Sequence, residues 1–392
     1  MMKSRKGKEE KMMNFKEESH FVEYQLETFD PQKRDAVMKM LEKPDSFSEK
    51  QRYFEQFSAA SRKKEPAFWN SIDLALEQYT SGINAYTKKC YQIDVYACCE
   101  LYGIAPEEYF QFKFYWKNDE GRNQYMGDKE RFVVFRPCYN FEEYEKIRNK
   151  WLMYQQIGKY FGRKCLLIKE NTDLEFEEFC NFLEGKDAFV FKPLRSSCGN
   201  GIQKIELSKE TDVRGLYQRL CETGGGMADE LIRQEKILEK FHPQSANTVR
   251  LITLRDKQGK DHFMQSLFRM GQSGSFVDNN SGAIRARIDE SNGYVFTCGF
   301  DAYGNEYILH PDSKEVIPGF QIPAWEELLS LAGKVMDEIS SYARFIGFDL
   351  ALTENGWTVI EVNPFPQLVI QQIITGQGIR KEMLRLANES VF

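Results

Sequence analysis

Histidine is scarce in this chain, four among 392 residues, and the four are scattered rather than paired at ligand spacing. The nine cysteines are odd in number and include no C-x-x-C pair, so neither a zinc site nor a disulfide framework is suggested. No apolar run is long enough to cross a bilayer as a helix. The opening MMKSRKGKEEKMMNFKEE carries charge but lacks the apolar core of a secretion signal, and residues 1–18 read as a disordered, solvated tail. A formal charge of −6 lacks the basic footprint of a general nucleic-acid binder. There is no G-x-x-x-x-G-K-[ST] phosphate loop, and no Cys/His or Ser/His arrangement of nucleophile and base. A reducing cytoplasm is the simplest home, and small molecules are the expected partners. The oligomeric state is not readable.

What is present is ordinary globular material, 42% hydrophobic and 29% charged, in a chain long enough for two or three domains. From about Phe21 to Tyr109 apolar residues recur every three or four positions, predicting helices, with a stop at Gly103 and a fresh start at Pro106. RFVVFRP at 131–137 reads as a strand, and RNKWLMYQQIGKYFG as a short helix ended by Gly162. DAFVFKP and IQKIEL read as strands flanking a glycine-containing loop, followed by strands in NTVRLITLRD and DHFMQSLFRM. AWEELLSLAGKVMDEISSYARF predicts a long helix. The C-terminal two-thirds therefore mixes helices with mostly antiparallel strands, an α+β pattern.

The stretch GFDLALTENGWTVIEVNPFP, residues 347–366, places Asp349, Glu361 and Asn363 within apolar runs, where a polar group is costly without a partner. Asn355-Gly356 predicts a hairpin between strands 348–353 and 357–363. A three-residue loop, Glu354-Asn355-Gly356, would pair Asp349 with Glu361, and strand alternation puts Asn363 on the same face. Two facing carboxylates need protons or a cation. Oxygen-only ligands suit Mg²⁺ or Mn²⁺, which complete their shell with water and phosphates. Taken alone, the same residues fit carboxylates at strand ends in water.

Other segments carry compatible chemistry. FVFKPLRSSCGNGIQKI sets Lys192 at a strand end before a loop with two serines and two glycines, able to bring N–H groups and hydroxyls to phosphates. Alone it is also a plain hairpin turn, and Cys198 within it is a filler rather than a nucleophile. LIRQEKILEK reads as an apolar strand entering a charged segment whose backbone could present an adenine edge, or as a solvated charge run. Arg250 and Arg269 stand in apolar strands and want a carboxylate or phosphate partner. Asn279, Asn280 and Gly282 lie in a polar turn that could anchor substrate or phosphate oxygens.

Read in order, Asn149-Lys150, the K-P-x-x-S-S-x-G-x-G loop, Q-E-K-I, N-T-V-R and Asp349…Glu361-x-Asn363 resemble the ATP-grasp superfamily. NTVRLITL, VDNNSGAI, IPAW and IEVNPFP look most like its branch associated with sugar transfer and cell-surface polysaccharides. The resemblance implies two α+β lobes enclosing ATP, at 148–238 and 239–392, behind a mainly helical region at 19–147 in place of the usual first domain. It implies phosphates on Lys150 and Lys192, with Ser196, Ser197, Gly199 and Gly201 closing over them. It further implies adenine against Glu235, Lys236 and Ile237, ribose on Glu239, and one or two Mg²⁺ ions on Asp349, Glu361 and Asn363. Arg250, Arg269 and Asn280 would serve the transferring phosphoryl group or the substrate carboxylate. The implied activity is carboxylate–amine ligation through an acylphosphate, joining for example an amino acid to a sugar or peptide. A kinase acting on a hydroxyl, or a non-catalytic protein binding nucleotide or glycan, are the rival expectations.

Overall fold

In a computed structural model of the chain, the residues described are Val37, 47–196, 199–272, 282–302, 304–390 and Phe392. The expected tail at 1–18, together with Ser197, Asn279 and Asn280, lies outside them. Helices α1 (Phe47–Lys64), α2 (Pro66–Tyr79), α3 (Ala85–Tyr102) and α4 (Pro106–Gln111) form the first part. Their limits follow local chemistry. Asn84 caps α3 by accepting from the Thr87 N–H at 2.9 Å, Gly103 ends it at φ 62°, and Pro106 occupies the first position of α4. These helices bury an aromatic core in which Trp69 and Tyr96 stack at 4.9 Å, with Phe54 tilted against Trp69 and edge-on to Tyr96.

The expected strand at 131–137 is instead the end of helix α5 (Asp128–Phe135) and a 3₁₀ turn. Asp128 and Glu130 sit in its first turn, where a helix favours negative charge. Arg131 and Phe135, four apart, are buried together, a spacing that a short apolar run hides. Next comes α6 (Lys150–Ile157), capped by Asn149.

Strands β1 (Cys165–Ile168), β2 (Ala188–Lys192), β3 (Gln203–Glu206) and β4 (Gly226–Glu230) make an antiparallel sheet in the order β1-β4-β2-β3. Helices α7 (Asp173–Leu183) and α8 (Val213–Glu222) cover it, burying Phe179, Phe182, Leu216 and Tyr217 against Phe189 and Phe191. The segment 231–240 is not the expected strand. β4 stops at Glu230, Gln234 makes a single bridge to Thr353, and Lys236–Glu239 is a short helix, α9.

The larger sheet holds β5 (Thr248–Arg255), β6 (Asp261–Met270), β7 (Ile284–Asp289), β8 (Tyr294–Val295), β9 (Gly299–Phe300), β10 (Glu306–Tyr307), β11 (Phe345–Thr353) and β12 (Gly356–Pro364). Its order is β10-β9-β7-β6-β5-β11-β12, with β8 on β7. Helix α10 (Trp325–Ile339) buries Leu328, Ala332, Val335, Met336 and Ile339, one face at spacings of three and four. It stops short of the expected end, leaving the chain to enter β11 at Phe345. Helices α11 (Val369–Thr375) and α12 (Arg380–Ser390) close the chain.

The turn between the sheets is tied by two amides. Gln234 Oε1 accepts from Asn247 N at 3.0 Å and from Asn247 Nδ2 at 2.9 Å, while Gln234 Nε2 donates to the carbonyls of His242 and Ser245, each at 2.9 Å. Asn247 Nδ2 also lies 2.9 Å from the Leu238 carbonyl, and the residue is fully buried. Asn247→Ala strands buried acceptors and is expected to lower the unfolding free energy by about 1–3 kcal/mol, read from urea denaturation.

Candidate active site

The hairpin reaches the expected pairing by an unexpected route. Thr353 faces Gly356 across a two-residue loop, Glu354-Asn355, and not the three-residue loop that the N-G signal suggested. That register alone would set Asp349 opposite Ile360. A bulge between Asp349 and Leu350 skips Ile360, and from there Asp349 faces Glu361. Asn363 follows on the same face, its Nδ2 donating to Asp349 Oδ2 at 3.2 Å.

Asp349 is buried, and its partners come from the neighbouring strands. Arg250, directly across on β5, binds it with two N–H groups at 2.5 and 2.9 Å, and Arg269 of β6 adds a third at 2.8 Å. Burial alone would raise the carboxyl; the two guanidinium groups outweigh it and hold Asp349 below the usual carboxylate range.

Glu361 binds Lys150 at 2.9 Å. Lys150 stands in the first turn of α6, where Asn149 Oδ1 accepts from the N–H groups of Trp151 and Leu152. Its Nζ also donates to the Ser196 carbonyl at 2.6 Å, joining the glycine-containing loop to the hairpin. In that loop Gly201 has φ +73°, and a Cβ there would stand 2.8 Å from the Pro193 ring, so a larger residue is excluded on both counts. Lys192 ends β2 and is paired with Asp229 at 2.5 Å. Lys150, Lys192, Ser196, Glu361 and Asn363 line one cavity of about 210 Å³, walled by Met153, Phe161, Met227 and Phe365.

Two features escaped the sequence reading. Asp229 is gripped not only by Lys192 but by Arg163, through N–H groups at 2.6 and 2.9 Å. Arg163 also donates to the Val359 carbonyl at 2.8 Å, beside the bulge. One guanidinium thus connects the small sheet to β12. The other is the arginine face of the large sheet. Arg285 stands opposite Arg269, and Arg287 follows on the same side; the alternation in IRARID was the available signal.

The remaining expected residues lie elsewhere. The Glu235 N–H donates to the Leu352 carbonyl at 2.9 Å. Lys236 and Glu239 border a separate surface hollow with His242, and Ile237 is exposed. None of the four is among the described residues lining the lysine cavity.

The sugar-transfer associated ATP-grasp family model matches residues 134–388, spanning both sheets and every residue of the lysine and carboxylate cluster. The chain belongs to that family. No curated protein sequence matches it significantly. Among solved structures it is similar to D-alanyl-alanine synthetase A from Vibrio cholerae, at 11% identity and TM-score 0.42 over 64% of this chain and 67% of the other. It is similar to N5-carboxyaminoimidazole synthetase from Staphylococcus aureus, at 11% identity and TM-score 0.41 over 69% and 59%. It also resembles a D-alanine–D-alanine ligase from Bacillus anthracis, at 14% identity and TM-score 0.39 over 64% and 69%. The match thus spans about three-fifths of the Staphylococcus aureus chain.

The donor set fits a hard divalent cation: two opposed carboxylates and an amide on one sheet face, with no imidazole or thiolate. Among the described residues no cluster of three or more His, Cys, Asp or Glu side chains is placed to hold a metal ion, and this set offers two carboxylates with one amide.

The Asp229 pair gives a pH signature. Burial would raise this carboxyl, but Arg163 and Lys192 hold it far below its ordinary value. Its contribution is therefore present above the unfolded value, about 4, and is lost as pH falls below that. Asp229→Asn leaves two buried cations and is expected to cost about 3–5 kcal/mol at neutral pH. The gap between wild type and variant should narrow by about 1 kcal/mol between pH 5 and pH 3, measured by urea unfolding at each pH.

Proposed function

We propose that the chain is an ADP-forming ligase that joins a small-molecule carboxylate to an amine, using ATP. What carries the reading is the convergence, on one cavity, of two lysines from different elements with the carboxylate and amide of β12. It takes the lobes as 148–238 and 239–392, behind the helical region 19–147. It rests on the lysines and carboxylates, not on the adenine segment.

In this reading a carboxylate oxygen of the substrate attacks the γ-phosphorus of ATP. The bond from that phosphorus to the bridging oxygen breaks, and ADP leaves with the electron pair. The amine nitrogen then attacks the carbonyl carbon of the acylphosphate, inorganic phosphate departs, and the nitrogen loses a proton to solvent. Lys150, fixed by the Ser196 carbonyl, and Lys192 neutralise phosphate oxygens. Arg250 and Arg269 offer guanidinium N–H groups to the reacting carboxylate and to charge that grows during transfer. Mg²⁺ or Mn²⁺ held by Asp349, Glu361 and Asn363 would supply further neutralisation of phosphate charge when bound. The protein's part is positioning and charge compensation, as phosphoryl transfer requires, with no nucleophilic side chain. A cytoplasmic role in modifying a cell-surface polysaccharide or peptide suits the family.

The test is incubation with Mg-ATP and a pooled panel of carboxylates and amines. ADP, inorganic phosphate and a product of amide mass are expected. ADP with a phosphorylated hydroxyl product would make the protein a kinase, and AMP would exclude both readings. Glu361→Gln should reduce turnover by at least a hundredfold, on the order of losing one strong transition-state contact, with an unchanged circular dichroism spectrum. Near-normal turnover in that variant would remove the metal assignment.

A further inference from the structure

A second cavity, of about 250 Å³, opens on the arginine face of the large sheet. Its described lining includes Arg250, Arg269 and Arg285, on three adjacent strands, and Gln111, Gln367 and Gln371. Two of these arginines are the ones that hold Asp349, so they join the cavity to the carboxylate cluster. Arg285 stands one strand further out, opposite Arg269. Gln111 belongs to α4 and so brings the helical N-terminal region into the wall. Gln371 is 1% exposed, yet its Oε1 has no hydrogen-bond partner among the described residues. A buried acceptor of that kind costs stability unless something donates to it.

We propose that this cavity selects the acid substrate, and that the acid carries a second anionic group. The inference rests on the ligase reading and deepens it. The carboxylate to be activated meets Arg250 and Arg269 beside Asp349, while the second anion, a carboxylate or a phosphate, meets Arg285. Gln371 accepts a hydrogen bond from an N–H or O–H of the same molecule, and Gln111 closes the cavity from the helical side. Three guanidinium groups in a half-buried site favour a multiply charged anion, because each N–H to an oxyanion is charge-assisted. The volume falls just below the roughly 300–1,000 Å³ of pockets for drug-sized ligands, which keeps the acid small. Arg285 and Gln111 are specificity residues here, distinct from the groups that meet the phosphates.

The test compares doubly anionic probes, glutarate, glutamate and 3-phosphoglycerate, with the monoanion butyrate. Binding is measured by calorimetry on the full-length protein, and KM from ADP release. At least one doubly anionic probe should bind tenfold or more tightly than butyrate. Arg285→Met should erase that preference by weakening the doubly anionic probe while leaving butyrate and Mg-ATP affinity unchanged. Arg285→Lys should restore part of it, and Gln111→Ala should raise KM a few-fold without lowering kcat. Glutarate against 3-phosphoglycerate tells a second carboxylate from a phosphate. Equal binding of all probes, or a preference that survives Arg285→Met, overturns the proposal. Because the calorimetry needs no turnover, failure of the ligase reading would show in the product assay alone, and failure of this one in the binding ratio.

Discussion

The arrangement depends on one skipped residue. Side chains alternate along a strand, so a register shift of one position would send Glu361 and Asn363 to the opposite face of the sheet from Asp349. The bulge at Ile360 prevents this. Its position is secured from outside the hairpin: Arg163, anchored by two hydrogen bonds to Asp229, donates to the carbonyl of Val359 at 2.8 Å. The residue that aligns the carboxylates of the large sheet is therefore the same one that holds the small sheet beside it. Neither lobe has the site alone.

The ions of the site are already matched within the chain. Lys150 pairs with Glu361, Lys192 with Asp229, and Arg250 and Arg269 with Asp349. Buried pairs of this kind offset the cost of desolvation and add little net stability beyond it. Under the proposed ligase reading, a phosphate entering such a site exchanges one charged partner for another, instead of having to desolvate lone lysines. The same pairing keeps both lysine side chains extended toward the cavity, lowering the entropy lost when a ligand orders them. Asp349 accepts three guanidinium N–H groups in directions set by β5 and β6, which fixes the carboxylate opposite Glu361 without any ligand.

Much of this was legible in the residues, and what was missed has physical causes. The strands carrying Arg250, Arg269 and Asp349 read correctly because their runs are long and bounded by turn residues. The Asp349–Glu361 pairing was anticipated, but through a longer loop: the N-G signal locates a turn without reporting a bulge between Asp349 and Leu350, further along the ladder. RFVVFRP misled because a run this short is apolar in either periodicity, and helix or strand was decided by Asp128 and Glu130 at its start. LIRQEKILEK misled because its fate depends on Asn247, whose amide reaches back to Gln234 and bends the segment. Arg163 and Asp229 carried no motif; only the packing of two sheets brings them together. Membership of the family, by contrast, was written in Lys150, Lys192 and the Asp349–Asn363 stretch.

The helical region is more than a neighbour of this machinery, and its fastenings show how it acts on it. Met126 and Gln372 exchange hydrogen bonds at 3.0 and 2.9 Å, Tyr125 donates to the Gly376 carbonyl at 2.5 Å, and Arg380 grips Glu130 at 2.6 Å. Arg131 reaches the Phe365 carbonyl, two residues beyond Asn363. These contacts all fall on the segment that follows the carboxylates, between the end of β12 and the start of α12. That segment includes α11, which packs on β6 and β7 over the arginine face, and Val369 belongs to the same hydrophobic cluster as Trp69 and Tyr96. Displacing the helices would therefore move α11, and with it one wall above Arg269 and Arg285, while the lysines on the far side of Asp349 kept their own supports. The lysine cavity is thus held by the two sheets, and the arginine cavity by the large sheet and the helical region.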